Sequence, residues 1–230
     1  MRAVMLIVAA ALWMITGVSS AASAPWVEGK HYFRIQPAQT TTVGPGKVEV
    51  AEALSYGCPA CSQFLPYMAQ LKKSLPPQAQ IVYVHASFNA AEQWPLFQRA
   101  FYTAQQLGIV DKTHDAMFKA VWGRGELAVM DTAGRIKNPP PTMDDVAQFY
   151  ARTAGVDAKK FIETSKSFMV DANVRRAEAW MKACRIDQTP TIVVNGKYRL
   201  HVRSAGGIDE MMSLINWLVL QESVPTAASN

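Results

Sequence analysis

Two cysteines separated by two residues, Cys58 and Cys61, are the residues of this chain whose type and spacing lead most directly to chemistry. They sit in Ser55-Tyr56-Gly57-Cys58-Pro59-Ala60-Cys61, between an apolar stretch over residues 48–54 and an amphipathic one over residues 63–75. A strand followed by a helix carries the first cysteine to the mouth of the helix. There, backbone N–H groups and the helix dipole favour thiolate over thiol. The pKa of Cys58 is therefore expected to fall below the free value of about 8.5. Pro59 suits the first helical position, where its missing N–H would be unpaired in any case. The pair reads as a redox-active dithiol. Its rivals are a structural disulfide and half of a zinc site, but the chain offers no second ligand pair at zinc spacing. None of His31, His85, His114 and His201 stands at ligand spacing from the dithiol, and each reads as a core or surface histidine. Neither a metal nor a cofactor is expected.

The elements that must position this pair follow from the pattern on either side. Residues 48–54 read as a largely buried strand interrupted by two acids, Glu49 and Glu52. Glu49 is expected to face solvent or to lie near the strand start. Glu52 is buried if the strand is central, and a buried carboxylate near a thiol serves as proton acceptor or donor. The helix after Cys58 places Phe64, Leu65, Met68, Leu71 and Leu75 on one broad face, with Pro66 expected to kink it and Pro76-Pro77 ending it. Ile81-Val82-Tyr83-Val84 then reads as a buried strand, which gives β–α–β with a parallel, right-handed connection.

From Glu92 the pattern is helical for a long stretch. Helices are expected from Glu92 to Leu107, closed by Gly108, and from a cap at Asp111 through Val121. Residues 123–141 read as a long irregular stretch. Further helices open at Thr142, closed near Gly155, at Asp157, with Phe161 and Ile162 inward, and at Asp171, through Ala183. Strand period returns at 191–194 and 197–200 around Asn195-Gly196, a two-residue hairpin signal. A last helix runs from Ile208 to Leu220. The third cysteine, Cys184, reads as a small buried apolar residue.

Composition sets the frame. The chain has 230 residues, 50% hydrophobic and 18% charged, an ordinary globular balance that suits one domain with an inserted subdomain. A net charge of +5 arises from scattered Lys and Arg without a long basic run, which argues against nucleic acid as a partner. At the N-terminus, Arg2 precedes a short apolar run over residues 3–15, and small residues follow over 19–24. This is the layout of a cleavable secretory signal peptide, and the run is shorter than the ~20 residues of a membrane-spanning helix. An oxidising destination would keep a dithiol as a disulfide.

The order β, β–α–β, helical insert, β–β, α, with Cys-x-x-Cys at the first helix and Thr189-Pro190 before the hairpin, resembles the DsbA family of periplasmic dithiol oxidases. The likeness includes Glu28-Gly29-Lys30 with Tyr32, Glu52 six residues before Cys58, His85 after the third strand, Gln105-Gln106-Leu107-Gly108, and Val194-Asn195-Gly196-Lys197-Tyr198. It implies an α/β, thioredoxin-like fold with an inserted all-helical domain. The division is a signal peptide over 1–24 cut between 21 and 24, a thioredoxin-like domain over 25–88 and 185–222, an insert over 89–184 and a flexible tail over 223–230. It further implies that Cys58 is the exposed thiol that forms the mixed disulfide and Cys61 its buried partner. Glu52 handles the proton of the second cysteine. Thr189 and a cis Pro190 face the dithiol, with Pro59 and Ala60, to receive substrate. The partners implied are reduced, unfolded exported proteins and a DsbB-type membrane reoxidant, and the protein is expected to be a periplasmic monomer. Three departures stand out: Ala60 where a familiar member has His, Leu65 where it has a second acid, and Pro66 at a kink better known from thioredoxins. The competing functions are a reductase or isomerase on the same fold, and a peptide-binding chaperone whose dithiol is incidental.

Overall fold

The computed structural model describes residues 26–123 and 125–223. The signal peptide expected over 1–24 lies outside them, as does the tail from residue 224. Ser223, assigned above to that tail, is instead the last residue of a helix.

Five strands form one sheet in the order β1-β5-β4-β2-β3. They are β1 (Phe33–Arg34), β2 (Val48–Leu54), β3 (Ala79–His85), β4 (Thr191–Val194) and β5 (Tyr198–Leu200). β2 pairs parallel with β3 and antiparallel with β4, so it is the central strand, and every one of its residues is buried. α1 (Pro59–Ser74) makes the crossover from β2 to β3. It runs on through Pro66 and ends ahead of Pro76-Pro77. Asn195 and Gly196 take φ of 51° and 65°, the pair of left-handed residues that a two-residue hairpin turn requires.

Five helices separate β3 from β4: α2 (Trp94–Gln106), α3 (Val110–Trp122), α4 (Met143–Ala154), α5 (Ala158–Ser165) and α6 (Phe168–Ala183). α4 opens on a capping box between Thr142 and Asp145 and closes at Gly155, and α5 is capped by Asp157, as their sequences predict. Phe161 is fully buried and Ile162 packs against the same core. Three starts differ from expectation: α2 begins at Trp94, with Gln93 and not Glu92 before it, and two others follow. Asp111 lies inside the first turn of α3, whose cap position is Ile109. Asp171 lies inside α6, which is capped by the Ser167 hydroxyl and extends from there. An acid in the first turn favours the helix through its dipole without being the cap, and Asp171 also binds Arg99 at 2.8 Å. After β5 comes a single turn, α7 (Val202–Ala205), which the sequence pattern does not announce, and then α8 (Ile208–Ser223). Residues 125–141 are irregular apart from an antiparallel bridge between Met130 and Ile136, and bury Leu127 and Val129.

The sheet has a core on each face. Val48 and Val50 of β2 with Ile192 and Val194 of β4 pack under α1 and α8, through Phe64, Met68, Leu71, Leu214 and Ile215. Ala51, Ala53 and Val193 face the other way, toward the helices between β3 and β4. The period-two alternation of a strand therefore sends Glu52 under α1 and Glu49 to the opposite face. Of its two expected placements, Glu49 takes the one near the strand start and not the solvated one. It is buried, and its carboxylate accepts hydrogen bonds from the backbone N–H (2.6 Å) and the hydroxyl (2.7 Å) of Thr42. The Gly/Pro/Thr-rich loop that carries Thr42 supplies the compensation that burial demands.

Candidate active site

β2 ends at Leu54, and a tight turn over residues 55–58 joins it to α1. The Cys58 N–H donates to the Ser55 carbonyl (3.0 Å) and the Gly57 N–H to the Ser55 hydroxyl (3.1 Å). Gly57 has no room for a side chain, since a Cβ there would lie 2.6 Å from the Glu92 carbonyl oxygen and from the Trp94 ring. The turn leaves Cys58 in extended conformation at the N-cap of α1 with Pro59 first inside the helix. Its Sγ accepts the N–H of Cys61 at 3.3 Å, so the sulfur occupies the place of an N-cap oxygen. The same sulfur is 3.6 Å from the carbonyl oxygen of Thr189.

This geometry separates the two thiols electrostatically. The pKa of Cys58 is lowered to about 6. The largest cause is hydrogen bonding from the Cys61 thiol; the Thr189 side chain and the Cys61 and Ala60 backbone act in the same direction, against burial, which raises it. Thr189 thus meets the sulfur in two ways. Its carbonyl oxygen suits a protonated thiol, and its buried hydroxyl, without a partner among the described residues, is the donor suited to a thiolate. Cys61 moves the opposite way, well above the ordinary thiol value, first by burial and then by the neighbouring Cys58 sulfur. Cys58 is less open than expected of an attacking thiol, at 4% exposure against 1% for Cys61. The reason is its cap position, tucked against the Thr189 backbone.

The other sequence-predicted residues gather at the same place. Thr189 and Pro190, joined by a cis peptide bond, lie half-buried ahead of β4. Pro59 and Ala60 are exposed on the first turn of α1. Glu52 lies beneath α1, its pKa raised to about 8 by burial and then by the charge of Cys58. No donor among the described residues hydrogen-bonds its carboxyl. Cys184 is distant from this centre, fully buried at the C-cap of α6. Among the described residues no group of three or more His, Cys, Asp or Glu side chains is placed to hold a metal ion.

Sequence reasoning missed the supports of the turn. Tyr56 is buried at 1% exposure, its amide donating to His85 Nε2 (2.9 Å), its carbonyl accepting from Trp122 Nε1 (2.8 Å) and its hydroxyl 3.0 Å from His114 Nδ1. The partners are 29 to 66 residues away in the chain, so no local pattern could reveal them.

A thioredoxin family model matches residues 45–216. The thiol:disulfide interchange protein DsbA of Pseudomonas aeruginosa is 31% identical over 218 residues, covering 94% of this chain and 96% of that protein. The protein of the same name from Burkholderia cepacia is 30% identical over 210 residues, covering 91% and 92%. Among solved structures, the oxidoreductase DsbA from Xylella fastidiosa superposes with a TM-score of 0.74 at 29% identity, over 86% of this chain and 97% of that one. The crystal structure of Pseudomonas aeruginosa DsbA gives 0.70 at 30% identity, over 86% and 94%.

Proposed function

The chain belongs to the DsbA family and is a thiol:disulfide oxidoreductase, and on that premise we propose that it introduces disulfides into reduced, unfolded exported proteins through Cys58 and Cys61. The observation that carries the reading is the placement of the Cys58 sulfur at the N-cap of α1, 3.3 Å from the Cys61 amide, with its pKa lowered to about 6. In the oxidised protein a substrate thiolate attacks the Cys58 sulfur, a new S–S bond forms, and Cys61 leaves. A second substrate thiolate then attacks its partner sulfur in the mixed disulfide and expels Cys58. The substrate loses two electrons and two protons, and the enzyme disulfide becomes a dithiol. A sulfur of low pKa is the better leaving group, which drives the second step toward release of oxidised substrate.

The expelled Cys61 needs a proton, because burial holds its pKa well above the ordinary range. Glu52, buried beneath it and protonated at neutral pH with a pKa of about 8, is the donor in this reading. Thr189 and Pro190, beside the Cys58 sulfur, together with Pro59 and Ala60, form the surface that receives the substrate segment.

The protein works as a monomer in the periplasm after its signal peptide is cut between residues 21 and 24, with residues 25–88 and 185–222 as its thioredoxin-like domain and 89–184 as the insert. A DsbB-type membrane protein takes the electrons from the reduced dithiol and closes the cycle. No helix among the described residues is long and apolar enough to cross a membrane. The test is oxidation of a reduced dithiol peptide by the oxidised protein. The wild type should form one peptide disulfide per enzyme disulfide consumed and Cys58→Ala none. A chaperone with an incidental dithiol would instead keep its activity in Cys58→Ala, and a wild type that fails to oxidise the peptide contradicts the reading.

A further inference from the structure

The turn that presents Cys58 is held from outside. Ser55 and Cys58 are its first and last residues, joined by the Cys58 N–H to Ser55 carbonyl bond, so Tyr56 and Gly57 are the two central residues whose dihedrals aim the sulfur. Three side chains hold Tyr56. His85 closes β3, and its Nδ1 is 3.0 Å from the Ala86 carbonyl, an acceptor only, so Nδ1 carries the proton. Nε2 is then the acceptor that the Tyr56 N–H requires at 2.9 Å. The His85 backbone is itself held, with the Gln98 amide donating to the His85 carbonyl (2.8 Å) and the His85 N–H donating to the Tyr102 hydroxyl (3.2 Å). Burial pushes the imidazole pKa down to about 3, in keeping with a neutral acceptor. From α3, Trp122 Nε1 donates to the Tyr56 carbonyl and His114 Nδ1 meets the Tyr56 hydroxyl. His114 is itself stacked on Tyr83 of β3, ring centroids 4.2 Å apart.

We propose that His85 and Trp122 are positioning residues for thiol–disulfide exchange: by gripping the amide and carbonyl of Tyr56 they hold the 55–58 turn so that the Cys58 sulfur meets the Cys61 amide. The helices between β3 and β4 thereby act on the chemistry as well as flanking it, through one peptide group on each side of Tyr56. The sulfur–amide contact at 3.3 Å falls off steeply with misplacement, so a loosened turn costs thiolate stabilisation first. This role rests on the proposed function only in taking Cys58 as the reacting sulfur.

The test is a pH titration of Cys58 alkylation in the reduced protein, with the glutathione equilibrium and the unfolding midpoints of both redox forms measured alongside. Trp122→Phe keeps an aromatic ring in this half-buried position while removing the N–H donor and part of the indole's bulk, a loss of packing that the unfolding midpoints register. It should raise the Cys58 pKa by about half a unit to one unit, shifting the glutathione equilibrium at pH 7 toward the oxidised protein by roughly three- to fivefold. His85→Leu, which removes the acceptor, should do the same, and His85→Gln, which can offer the Tyr56 N–H a carbonyl oxygen, should recover part of the loss. If His85→Leu does not fold, Trp122→Phe decides alone. A role in stability alone would lower both midpoints equally and leave the Cys58 pKa and the glutathione equilibrium at wild-type values, and that result overturns the proposal. A wild type that titrates near pH 6 yet fails to oxidise dithiol peptides sinks the oxidase reading only, because the alkylation titration still decides the role of the clamp.

Discussion

Three buried thiols sit near two buried glutamates on opposite faces of one strand, and two of them, Cys184 and Cys58, behave in opposite ways. Glu49 of β2 faces α6 and acts on Cys184, and Glu52, three residues on, faces α1 and acts on Cys58 and Cys61. Burial and a neighbouring acid are common to both. Yet Cys184 is pushed up to about 12, chiefly by burial, whereas Cys58 falls to about 6. The difference lies in what donates to the sulfur. Cys58 receives a hydrogen bond from the Cys61 thiol first, then from Thr189 and the amides at the N-terminus of α1, whereas Cys184, at the C-cap of α6, has burial and Glu49 acting against its thiolate. The acids differ as well. Glu49 is hydrogen-bonded twice by Thr42 and belongs to the scaffold; Glu52 lacks such a donor among the described residues and holds a proton beside a sulfur that must receive one. Burial alone makes a thiol inert; a hydrogen bond from a second thiol, helped by the amides of a helix N-terminus, makes it reactive.

Alkylation sharpens this contrast most. At pH 7 Cys58 should react at least about a hundredfold faster than Cys184, once thiolate fraction and the higher intrinsic nucleophilicity of a basic thiolate are both counted. Burial of Cys184 widens the gap. Mass mapping of the reduced protein reads the ratio directly, and early labelling of Cys184 or Cys61 would break the comparison.

The stability of the reduced form should depend on pH in a stated direction. The folded pKa of Cys58 is depressed, so its contribution is fully present above the unfolded value of about 8.5 and is lost as pH falls through about 6. At pH 7 it amounts to about 1.4 kcal/mol in favour of the reduced protein. The oxidised form has no thiol to titrate, so the stability gap between reduced and oxidised protein should widen from pH 5 to 8. Glu52 opposes this, because the Cys58 thiolate raises its pKa only in the reduced form, and Glu52→Gln should therefore steepen the slope. Denaturant unfolding of both forms at several pH values checks the sign.

The paired substitutions Glu52→Gln and Glu49→Gln give the smallest effects and the cleanest contrast. Gln mimics the protonated acid, so Glu52→Gln should leave stability at pH 7 within about 0.5 kcal/mol of wild type, while peptide oxidation slows several-fold. Glu49→Gln loses a charged acceptor and should cost about 1–3 kcal/mol of stability with the Cys58 pKa unchanged. Stopped-flow oxidation and chemical unfolding of the two variants separate the roles, and equal effects in both would erase the distinction.

Much of this was legible in the sequence because it is local. Cys58 before Pro59, the Asn195-Gly196 turn, and the caps Thr142 and Asp157 act within a few residues of themselves, and β2 reads as buried from its own composition. What was not legible depends on distant partners. Nothing near Glu49 announces that Thr42 folds back onto it. Nothing near Tyr56 announces His85, His114 or Trp122. The start of α6 at Ser167 was obscured because Ser, Asp and Asn all open helices, and Asp171 carried the stronger apparent signal. The contact of Gly57 with Glu92 and Trp94 is likewise a tertiary fact.

The central claim is that the N-cap placement of Cys58 makes this dithiol an oxidant of other proteins. Equilibration of the protein with known ratios of reduced and oxidised glutathione, read as the fraction of enzyme dithiol, tests it most directly. The account predicts a reduction potential less negative than about −200 mV, on the oxidising side of the glutaredoxin range. A value near the thioredoxin level of about −270 mV or below would make the protein a reductase and contradict the account.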